Sequence, residues 1–376
     1  MKALILTCNT GEGHNQTAKA IITEFNALGF QCDSVDALNF LSEKKSKFLC
    51  SWHLTLYRHL PKTSSVGYSL IDKNPKPLEK SGRWLYKFFA KGADKLNELI
   101  NAEKYDLIIS VHPFSAVIIA GFQEKYKETK VKTAFVATDY TCSPGAASGN
   151  IDTYFIPHES LREDFVKRGI SNEKIVSVCG IPVKNEFFSA PSVEEAKESI
   201  GLNKDSKVVL LTFGSMGCGP IYKLTLMLSR SLPHSTSLFV ICGTNKSLLN
   251  KLKKKNLPKN VTVLGYTDKM LQYCVASDVY ITKPGGISST EAAVLGVPTI
   301  FVNAVGGCET YNCNFFVNNK TAKTSNNLKE LVGLILDILN GNDSFSKNAQ
   351  NLKKEFSKCS AKIIAEHYAN SESEKK

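Results

Sequence analysis

The sequence has no stretch of the kind that forms a membrane-spanning helix or a secretory signal. None of its apolar runs approaches the roughly 20 residues needed to cross a bilayer. The apolar stretch near the N-terminus, Ala3–Leu6, is short and leads straight into a glycine turn, whereas a signal peptide needs a longer apolar region. These absences predict a chain that stays in the cytosol.

The motifs of several cofactor classes are also missing. The eleven cysteines are scattered and form no Cys-x-x-Cys pair, which argues against a zinc or redox centre. There is no Walker lysine motif and no Asp-x-Asp, so neither an ATPase nor a metal-chelated sugar nucleotide is indicated. Gly11-Glu-Gly-His14 lacks the third glycine of a dinucleotide fingerprint. The sequence therefore indicates no metal and no resident cofactor.

What the sequence does contain is an alternation of apolar strands and amphipathic helices. Its 376 residues, 43% hydrophobic and 22% charged, suit a globular protein of two domains. Such alternation predicts parallel sheets covered on both faces, with ligands at the carboxyl ends of the strands. The predicted strands are Lys2–Cys8, Gln31–Asp36, Tyr105–Val111, Val131–Thr138, Thr153–Ile156, Ile175–Cys179, Lys207–Phe213, Ser237–Cys242, Val261–Leu264, Val279–Thr282 and Thr299–Val302.

The predicted fold is α/β, with two doubly wound Rossmann-like domains that face each other across a cleft. Residues 1–182 are expected to form the N-terminal domain and residues 183–355 the C-terminal domain. Residues 356–376 are expected to begin with a helix that packs back towards the N-terminal domain. A loose tail is predicted from Ser371.

The positive charge of the chain is concentrated in one region. The formal net charge is +12, and residues 42–95 hold twelve Lys or Arg against four Asp or Glu. Both tryptophans, Trp52 and Trp84, lie there among cations such as Arg58 and Arg83. This mixture favours the headgroup zone of an anionic membrane. A nucleic-acid surface and a solvated basic face over a core helix are the competing interpretations.

The stretch from Asp278 to Ala293 carries the most specific signal. An apolar strand ends at Pro284, Gly285 and Gly286, and a helix follows with Ser288 and Ser289 in its first turn. Unpaired helix-start N–H groups beside small hydroxyls suit a phosphate, and Glu291 could reach a ribose diol. An ordinary βα turn would also explain these glycines. A second glycine-rich turn, formed by Gly214, Ser215, Met216 and Gly217, makes a diphosphate the better interpretation.

Three loops of the first half carry candidate catalytic groups. The glycines of Gly11-Glu-Gly13-His14 allow a close backbone approach and present His14 at a strand end. His112 ends a second strand, and Asp139 follows a third, where it could accept a proton or orient an imidazole. Structural roles compete with these, because a lone histidine often caps a helix and aspartate often caps a turn.

These segments resemble the GT-B glycosyltransferases of family 28, in the branch of monogalactosyldiacylglycerol synthases and diacylglycerol glucosyltransferases. The resemblance is carried by Gly11–His14, Thr138–Thr141, Gly214–Gly217, Thr282–Ala292, and Gly307-Cys308-Glu309 with Asn312 and Phe315-Phe316. Two positions depart from the family pattern. Cys308 stands where the family often has glutamine, and Ser215 stands where many members have a second glycine.

The resemblance implies that the C-terminal domain holds a UDP-sugar. Glu291 would bind the ribose, Ser288 and Ser289 the phosphates, and Glu309 with Asn312 the region of the sugar. The N-terminal domain would hold the lipid acceptor, near Gly13 and His112, with Trp52, Arg58, Arg83 and Trp84 towards the membrane. The family equivalents of His14 and Asp139 lie near the reaction centre.

The resulting prediction is an inverting, metal-independent hexosyltransferase that moves a hexose from UDP-glucose or UDP-galactose to diacylglycerol. His14 or Asp139 would act as the base, at the inner face of an anionic cell membrane and without nucleic acid. Three alternatives remain open at this point. They are N-acetylglucosaminyl transfer to a polyprenyl-linked peptidoglycan precursor, a UDP-sugar epimerase, and a non-catalytic UDP-sugar sensor.

Overall fold

The structure is a computed structural model, and it describes residues 1–9, 11–42, 68–74, 78, 83–302, 306–325, 327–341 and 344–373. By their contacts these residues divide into two compact units. The first unit comprises Met1–Lys184, Gly306–Cys308 and Lys358–Lys376, and the second comprises Asn185–Val305 and Glu309–Ser357. Within the described ranges, no helix has both the length and the apolar character needed to cross a membrane.

The first unit is built on a six-stranded sheet in the order β2-β1-β3-β4-β5-β6, with every neighbouring pair parallel. Its strands are β1 (Lys2–Thr7), β2 (Gln31–Asp36), β3 (Leu107–Ser110), β4 (Lys132–Val136), β5 (Thr153–Ile156) and β6 (Ile175–Ser177). The helices between them are α1 (Glu12–Ala27), α2 (Trp84–Ala90), α3 (Ala93–Glu103), α4 (Pro113–Lys125) and α5 (Arg162–Lys167), and residues 68–73 are also helical.

The second unit repeats this architecture with the strand order β12-β11-β10-β7-β8-β9, again parallel throughout. Its strands are β7 (Lys207–Thr212), β8 (Thr236–Ile241), β9 (Val261–Leu264), β10 (Val279–Thr282), β11 (Thr299–Phe301) and β12 (Ala322–Thr324). Its helices are α6 (Val193–Ser199), α7 (Ile221–Ser231), α8 (Lys246–Lys253), α9 (Met270–Val275), α10 (Gly286–Leu295), α11 (Cys308–Asn318), α12 (Leu328–Leu339) and α13 (Phe345–Glu355).

The strands form because their sequences are short, nearly continuous apolar runs. β3 is buried at all four positions and β10 at all four, as expected for parallel strands covered by helices on both faces. The predicted α/β class with parallel sheets is confirmed, and all eleven predicted strands are present with ends within two residues. β12 was not predicted. It is a three-residue edge strand, Ala-Lys-Thr, without an apolar run to mark it.

The last helix, α14 (Ser360–Ser373), packs within the first unit. Ala361, Ile364 and Tyr368 are buried in the same hydrophobic cluster as Ile21 and Phe25 of α1. The helix begins four residues later than the predicted Phe356. It also continues to Ser373, beyond Ser371, so the prediction of a loose tail from Ser371 is corrected. This helix therefore shares the hydrophobic core of the first unit with α1.

Candidate active site

His14 lies at the carboxyl end of β1, in the first turn of α1. The helix begins at Glu12, so Gly13 and His14 are already helical instead of preceding the helix. The His14 Nδ1 atom lies 2.9 Å from the carbonyl oxygen of Val111. Because a carbonyl oxygen only accepts hydrogen bonds, Nδ1 carries the hydrogen, and the lone pair of the neutral ring is on Nε2. The imidazole is therefore held in the tautomer that can accept a proton at Nε2.

His112 is held in the opposite tautomer. It caps the start of α4, where its Nδ1 atom accepts the backbone N–H of Phe114 at 3.0 Å. The hydrogen of the neutral His112 ring is therefore on Nε2. Its ring centroid is 4.5 Å from that of His14, edge to face. The structure thus brings the two predicted histidines together, although His112 also performs the structural capping role.

Asp139 follows Thr138, whose hydroxyl lies 3.1 Å from Nδ1 of His14. A half-buried tyrosine that the sequence did not single out, Tyr68, lies close to the same loop. Burial raises the pKa of the Tyr68 phenol far above its usual value, and the neighbouring Cys308 thiol and Asp139 carboxylate raise it further. Tyr68 is thus an unpredicted member of the region around Asp139 in the first unit.

The turn after β7 is locked to the turn after β8 by backbone contacts. Gly217 has a φ of +55°, and a Cβ placed there would lie 2.0 Å from the Cys242 carbonyl oxygen. The Thr244 N–H donates to the Ser215 carbonyl at 2.8 Å, and Asn245 Nδ2 donates to the Gly217 carbonyl at 3.0 Å. The predicted segment Gly214–Gly217 is therefore a rigid loop at the carboxyl end of β7.

The turn after β10 leads directly into α10. Gly285 is the N-cap residue, and no side chain in the described part of the chain caps this helix. Its first N–H groups point beyond the helix start, where the helix dipole favours an anion. Asn312 on α11 holds this turn in place, because its Nδ2 atom donates a hydrogen bond to the Pro284 carbonyl at 3.1 Å. Asn312 is fully buried, so it supports the turn.

The two serines of α10 lie in different environments. Ser288 is half-buried, whereas Ser289 is 2% exposed and its hydroxyl has no hydrogen-bond partner among the described residues. Ser289 lines a small internal cavity together with apolar side chains such as Ala293 and Phe316. Ser289 therefore faces the interior of the second unit, and its contact with a phosphate stays a prediction. Glu291 is half-buried and contributes to the raised pKa of the buried Tyr280 phenol, whose main cause is desolvation.

Lys283, a residue without a predicted role, joins the turn after β10 to α11. Lys283 Nζ donates to Glu309 Oε1 at 2.7 Å. Both side chains are mostly buried, with exposed fractions of 19% for Lys283 and 6% for Glu309. The partners are 26 residues apart in the chain, so no local pattern could have predicted the pair.

The basic aromatic region is described only in part. Trp52 and Arg58 lie outside the described residues. Trp84 begins α2 and is 72% exposed, next to the exposed Arg83. Phe89 of the same helix is buried and stacks on Phe114, with ring centroids 4.4 Å apart. Leu70 is also exposed, at 66%. In the part of the chain that is described, no three His, Cys, Asp or Glu side chains form a group able to hold a metal ion.

Comparison with known proteins gives matches along nearly the whole chain. Residues 14–183 match the family model of monogalactosyldiacylglycerol (MGDG) synthase, and residues 194–356 match that of glycosyl transferases group 1. The chain is 28% identical to the processive diacylglycerol β-glucosyltransferase of Bacillus subtilis (strain 168) over 372 residues. That alignment covers 97% of this chain and 94% of the relative.

Solved structures with the same fold are more distant in sequence. MurG of Acinetobacter baumannii has a TM-score of 0.65 at 14% identity, and the match covers 97% of this chain and 98% of that one. UDP-GlcNAc 2-epimerase from Neisseria meningitidis, bound to UDP-GlcNAc, has a TM-score of 0.59 at 15% identity, covering 98% and 100%. At this identity the likeness concerns the fold alone.

Two parallel six-stranded sheets, with histidines at the strand ends of one and glycine-rich turns at the strand ends of the other, have the architecture of the GT-B fold. The matches to the MGDG synthase and glycosyl transferases group 1 models, and the similarity to a processive diacylglycerol glucosyltransferase over 97% of the chain, agree with the resemblance to family 28 and its lipid-glycosylating branch. The family and fold class predicted from the sequence are confirmed.

The close approach at Gly217 leads to a stability prediction. Gly217→Ala should destabilise the second unit by more than the roughly 1–2 kcal/mol that a left-handed residue costs, because its methyl group would meet the Cys242 carbonyl oxygen. Gly201→Ala is the matched control, since Gly201 has a φ of +79° and open space around it. Urea unfolding followed by circular dichroism measures both. Equal losses in the two variants would contradict the steric explanation.

Proposed function

We propose that this glycosyltransferase moves a hexose from a UDP-sugar to the hydroxyl of diacylglycerol, with inversion, at the inner face of the cell membrane. The observation that carries the chemistry is the hydrogen bond between His14 Nδ1 and the Val111 carbonyl. It fixes a lone pair on Nε2, which suits a general base that takes the acceptor's proton. The similarity to diacylglycerol glucosyltransferases over 97% of the chain supports the choice of acceptor.

The roles of the first-unit residues follow from this assignment. Nε2 of His14 removes the hydroxyl proton as the acceptor oxygen attacks the anomeric carbon of the donor. Thr138, 3.1 Å from His14 Nδ1, helps to hold the ring, and Asp139 stabilises the positive charge that develops on it. His112 presents an N–H at Nε2, which suits an acceptor oxygen, and Gly13 lets the acceptor come close to the backbone.

The second unit supplies the donor site in this proposal. The diphosphate is bound by the amides of Gly285 and Gly286, by the Ser288 hydroxyl and by the rigid loop of Gly214, Ser215, Met216 and Gly217. The start of α10 stabilises the negative charge of the diphosphate as it leaves. Glu291 binds the ribose hydroxyls, and Glu309 binds the sugar hydroxyls. Asn312 acts through the Pro284 carbonyl that it holds. No step of this scheme requires a metal ion.

The exposed face of α2 is the proposed contact with the membrane. Trp84 offers a large amphipathic ring, and Arg83 and Lys87 offer cations on the same exposed surface. Aromatic rings and cations together are typical of the interface between an anionic bilayer and water. Trp52 and Arg58 belong to the same proposal on sequence grounds.

The alternatives have less support. Solved structures of the same fold include an epimerase, but at 15% identity it shares the fold alone. Neither N-acetylglucosaminyl transfer to a polyprenyl-linked acceptor nor a sensor without catalysis is favoured by any contact in the site. Cys308, in place of the family's glutamine, leaves glucose and galactose as equal candidates for the donor sugar.

Product analysis tests the proposed reaction directly. We expect a glycosylated diacylglycerol when the protein is mixed with anionic liposomes containing diacylglycerol and either UDP-glucose or UDP-galactose, in buffer with EDTA. UDP-N-acetylglucosamine serves as the comparison donor. Thin-layer chromatography and mass spectrometry of the lipids identify the sugar. Absence of any lipid product with all three donors, despite measurable UDP binding, would refute diacylglycerol as the acceptor.

The tautomer of His14 predicts a separation between turnover and binding. His14→Ala should lower kcat roughly 100-fold or more, the usual contribution of a general base, while the Kd for UDP stays within experimental error. His234→Ala, which removes an exposed histidine of the second unit, is the control. Initial rates and calorimetric titration with UDP provide the two measurements. Parallel losses of turnover and of UDP affinity would contradict the role of His14 as base.

The exposed tryptophan predicts weaker membrane binding when it is removed. Trp84→Ala should lower the affinity for anionic liposomes by roughly 10- to 100-fold, since burial of a large apolar side chain contributes about 1.5–3 kcal/mol. Tyr266→Ala is a matched control, because Tyr266 is 70% exposed and lies in the second unit. Cosedimentation with liposomes measures both. A Trp84 variant that sediments like the unmodified protein would exclude α2 as the contact surface.

A further inference from the structure

The ion pair between Lys283 and Glu309 is the strongest feature of the second unit that the proposed function does not explain. The two charged groups lie 2.7 Å apart, and both side chains are mostly removed from water. Desolvation of two charges offsets much of their attraction, so such a pair is weak evidence for a stabilising role. Two hydrophobic side chains would fill the same space at lower electrostatic cost. The position of the pair beside the donor turns therefore calls for a functional explanation.

The stem of Lys283 lies along both glycine-rich turns. A Cβ placed on Gly214 would be 3.7 Å from Lys283 Cε, and one placed on Gly285 would be 3.8 Å from the same atom. Both are ordinary van der Waals distances, so the lysine stem lies beside the loop after β7 and beside the start of α10. The ammonium group at its end then reaches Glu309 on α11.

A second contact links α11 to the same turn. Asn312 is one helical turn after Glu309, so their side chains share a face of the helix. Asn312 donates to the carbonyl of Pro284, the residue that follows Lys283. Two adjacent residues of the β10 turn are therefore joined to two side chains on one face of α11. This arrangement fixes the Glu309 carboxylate relative to the turns that are proposed to bind the diphosphate.

We propose that Lys283 is a positioning residue that sets donor-sugar recognition by orienting the Glu309 carboxylate; this inference rests on the proposed use of a UDP-sugar. A carboxylate accepts hydrogen bonds from sugar hydroxyls but is repelled by a nearby diphosphate. The Lys283 ammonium group, beside both turns and bonded to Glu309, offsets that repulsion. It also holds one carboxylate oxygen at 2.7 Å, which fixes the orientation of the whole carboxylate.

The test compares donor binding in four proteins without any lipid. They are the unmodified protein, Lys283→Met, Glu309→Gln and the double variant, each titrated with UDP, UDP-glucose and UDP-galactose by calorimetry. We expect each single variant to lose about tenfold or more in affinity for the preferred UDP-sugar but less than about threefold for UDP. We expect the double variant to be no worse than Glu309→Gln, because coupled residues are not additive.

Two results would overturn the inference. Equal losses for UDP and for UDP-sugars in Lys283→Met would make the lysine a direct phosphate ligand. Independent, multiplicative effects in the double variant would show that Lys283 does not act through Glu309. If the unmodified protein binds no UDP-sugar at all, the proposed function fails and the inference fails with it, which is a different outcome from equal losses.

Controls separate recognition from folding. Lys207→Met removes the lysine of a more exposed pair with Asp278 in the same unit, and it should leave all three affinities unchanged. A change there as large as in Lys283→Met would contradict a specific role. The double variant leaves no unpaired charge in the site, so it should fold even where a single variant does not. The decisive quantity is then the ratio of UDP-sugar affinity to UDP affinity in the double variant. A ratio equal to that of the unmodified protein would refute the inference.

Discussion

Parallel pairing of β3 with β1 on one side and β4 on the other is the constraint on which the site of the first unit depends. The pairing places Leu6 opposite Ser110, and Ser110 opposite Phe135. The chain segments that leave these strands therefore emerge at the same edge of the sheet. A slip of one residue would move the Val111 carbonyl by about 3.3 Å and break its hydrogen bond to His14. The tautomer of a histidine in α1 is thus set by the register of β3.

The second unit uses the same constraint for a different kind of chemistry. β10, β7 and β8 are neighbours, so the turns that follow them are neighbours too. Here the groups proposed to bind the donor are mainly backbone amides, which carry fixed dipoles and do not titrate. Backbone atoms can approach one another this closely only without side chains, which explains the positive φ and the tight contact at Gly217. The charged side chains of the proposed donor site are Lys283, Glu291 and Glu309, and the hydrogen bond to Glu309 fixes the position of the Lys283 ammonium group.

The sequence predicted what depends on local pattern and missed what depends on contacts across the chain. Apolar runs located every strand except β12, whose alanine, lysine and threonine leave no such run. Ser288 and Ser289 lie about 100° apart around the helix, so only one of them faces inward. Because both are serines, the sequence could not show which one. Two contacts join segments that are far apart in sequence, so only the fold could reveal them. They are the ion pair of Lys283 with Glu309 and the proximity of Tyr68 to Asp139.

A shared fold does not decide between transfer and epimerisation, since this architecture also occurs in a UDP-GlcNAc 2-epimerase. A transferase needs a group that takes a proton from a second substrate, and that group must be unprotonated at the correct atom. In the proposed mechanism His14 is that group, and the Val111 carbonyl keeps its hydrogen on Nδ1. His112, held in the opposite tautomer by the Phe114 amide, offers an N–H instead of a lone pair. Two neighbouring histidines with opposite tautomers can accept a proton at one ring and hold an oxygen at the other. This division of roles suits the activation of an acceptor hydroxyl, and it arises from two backbone hydrogen bonds.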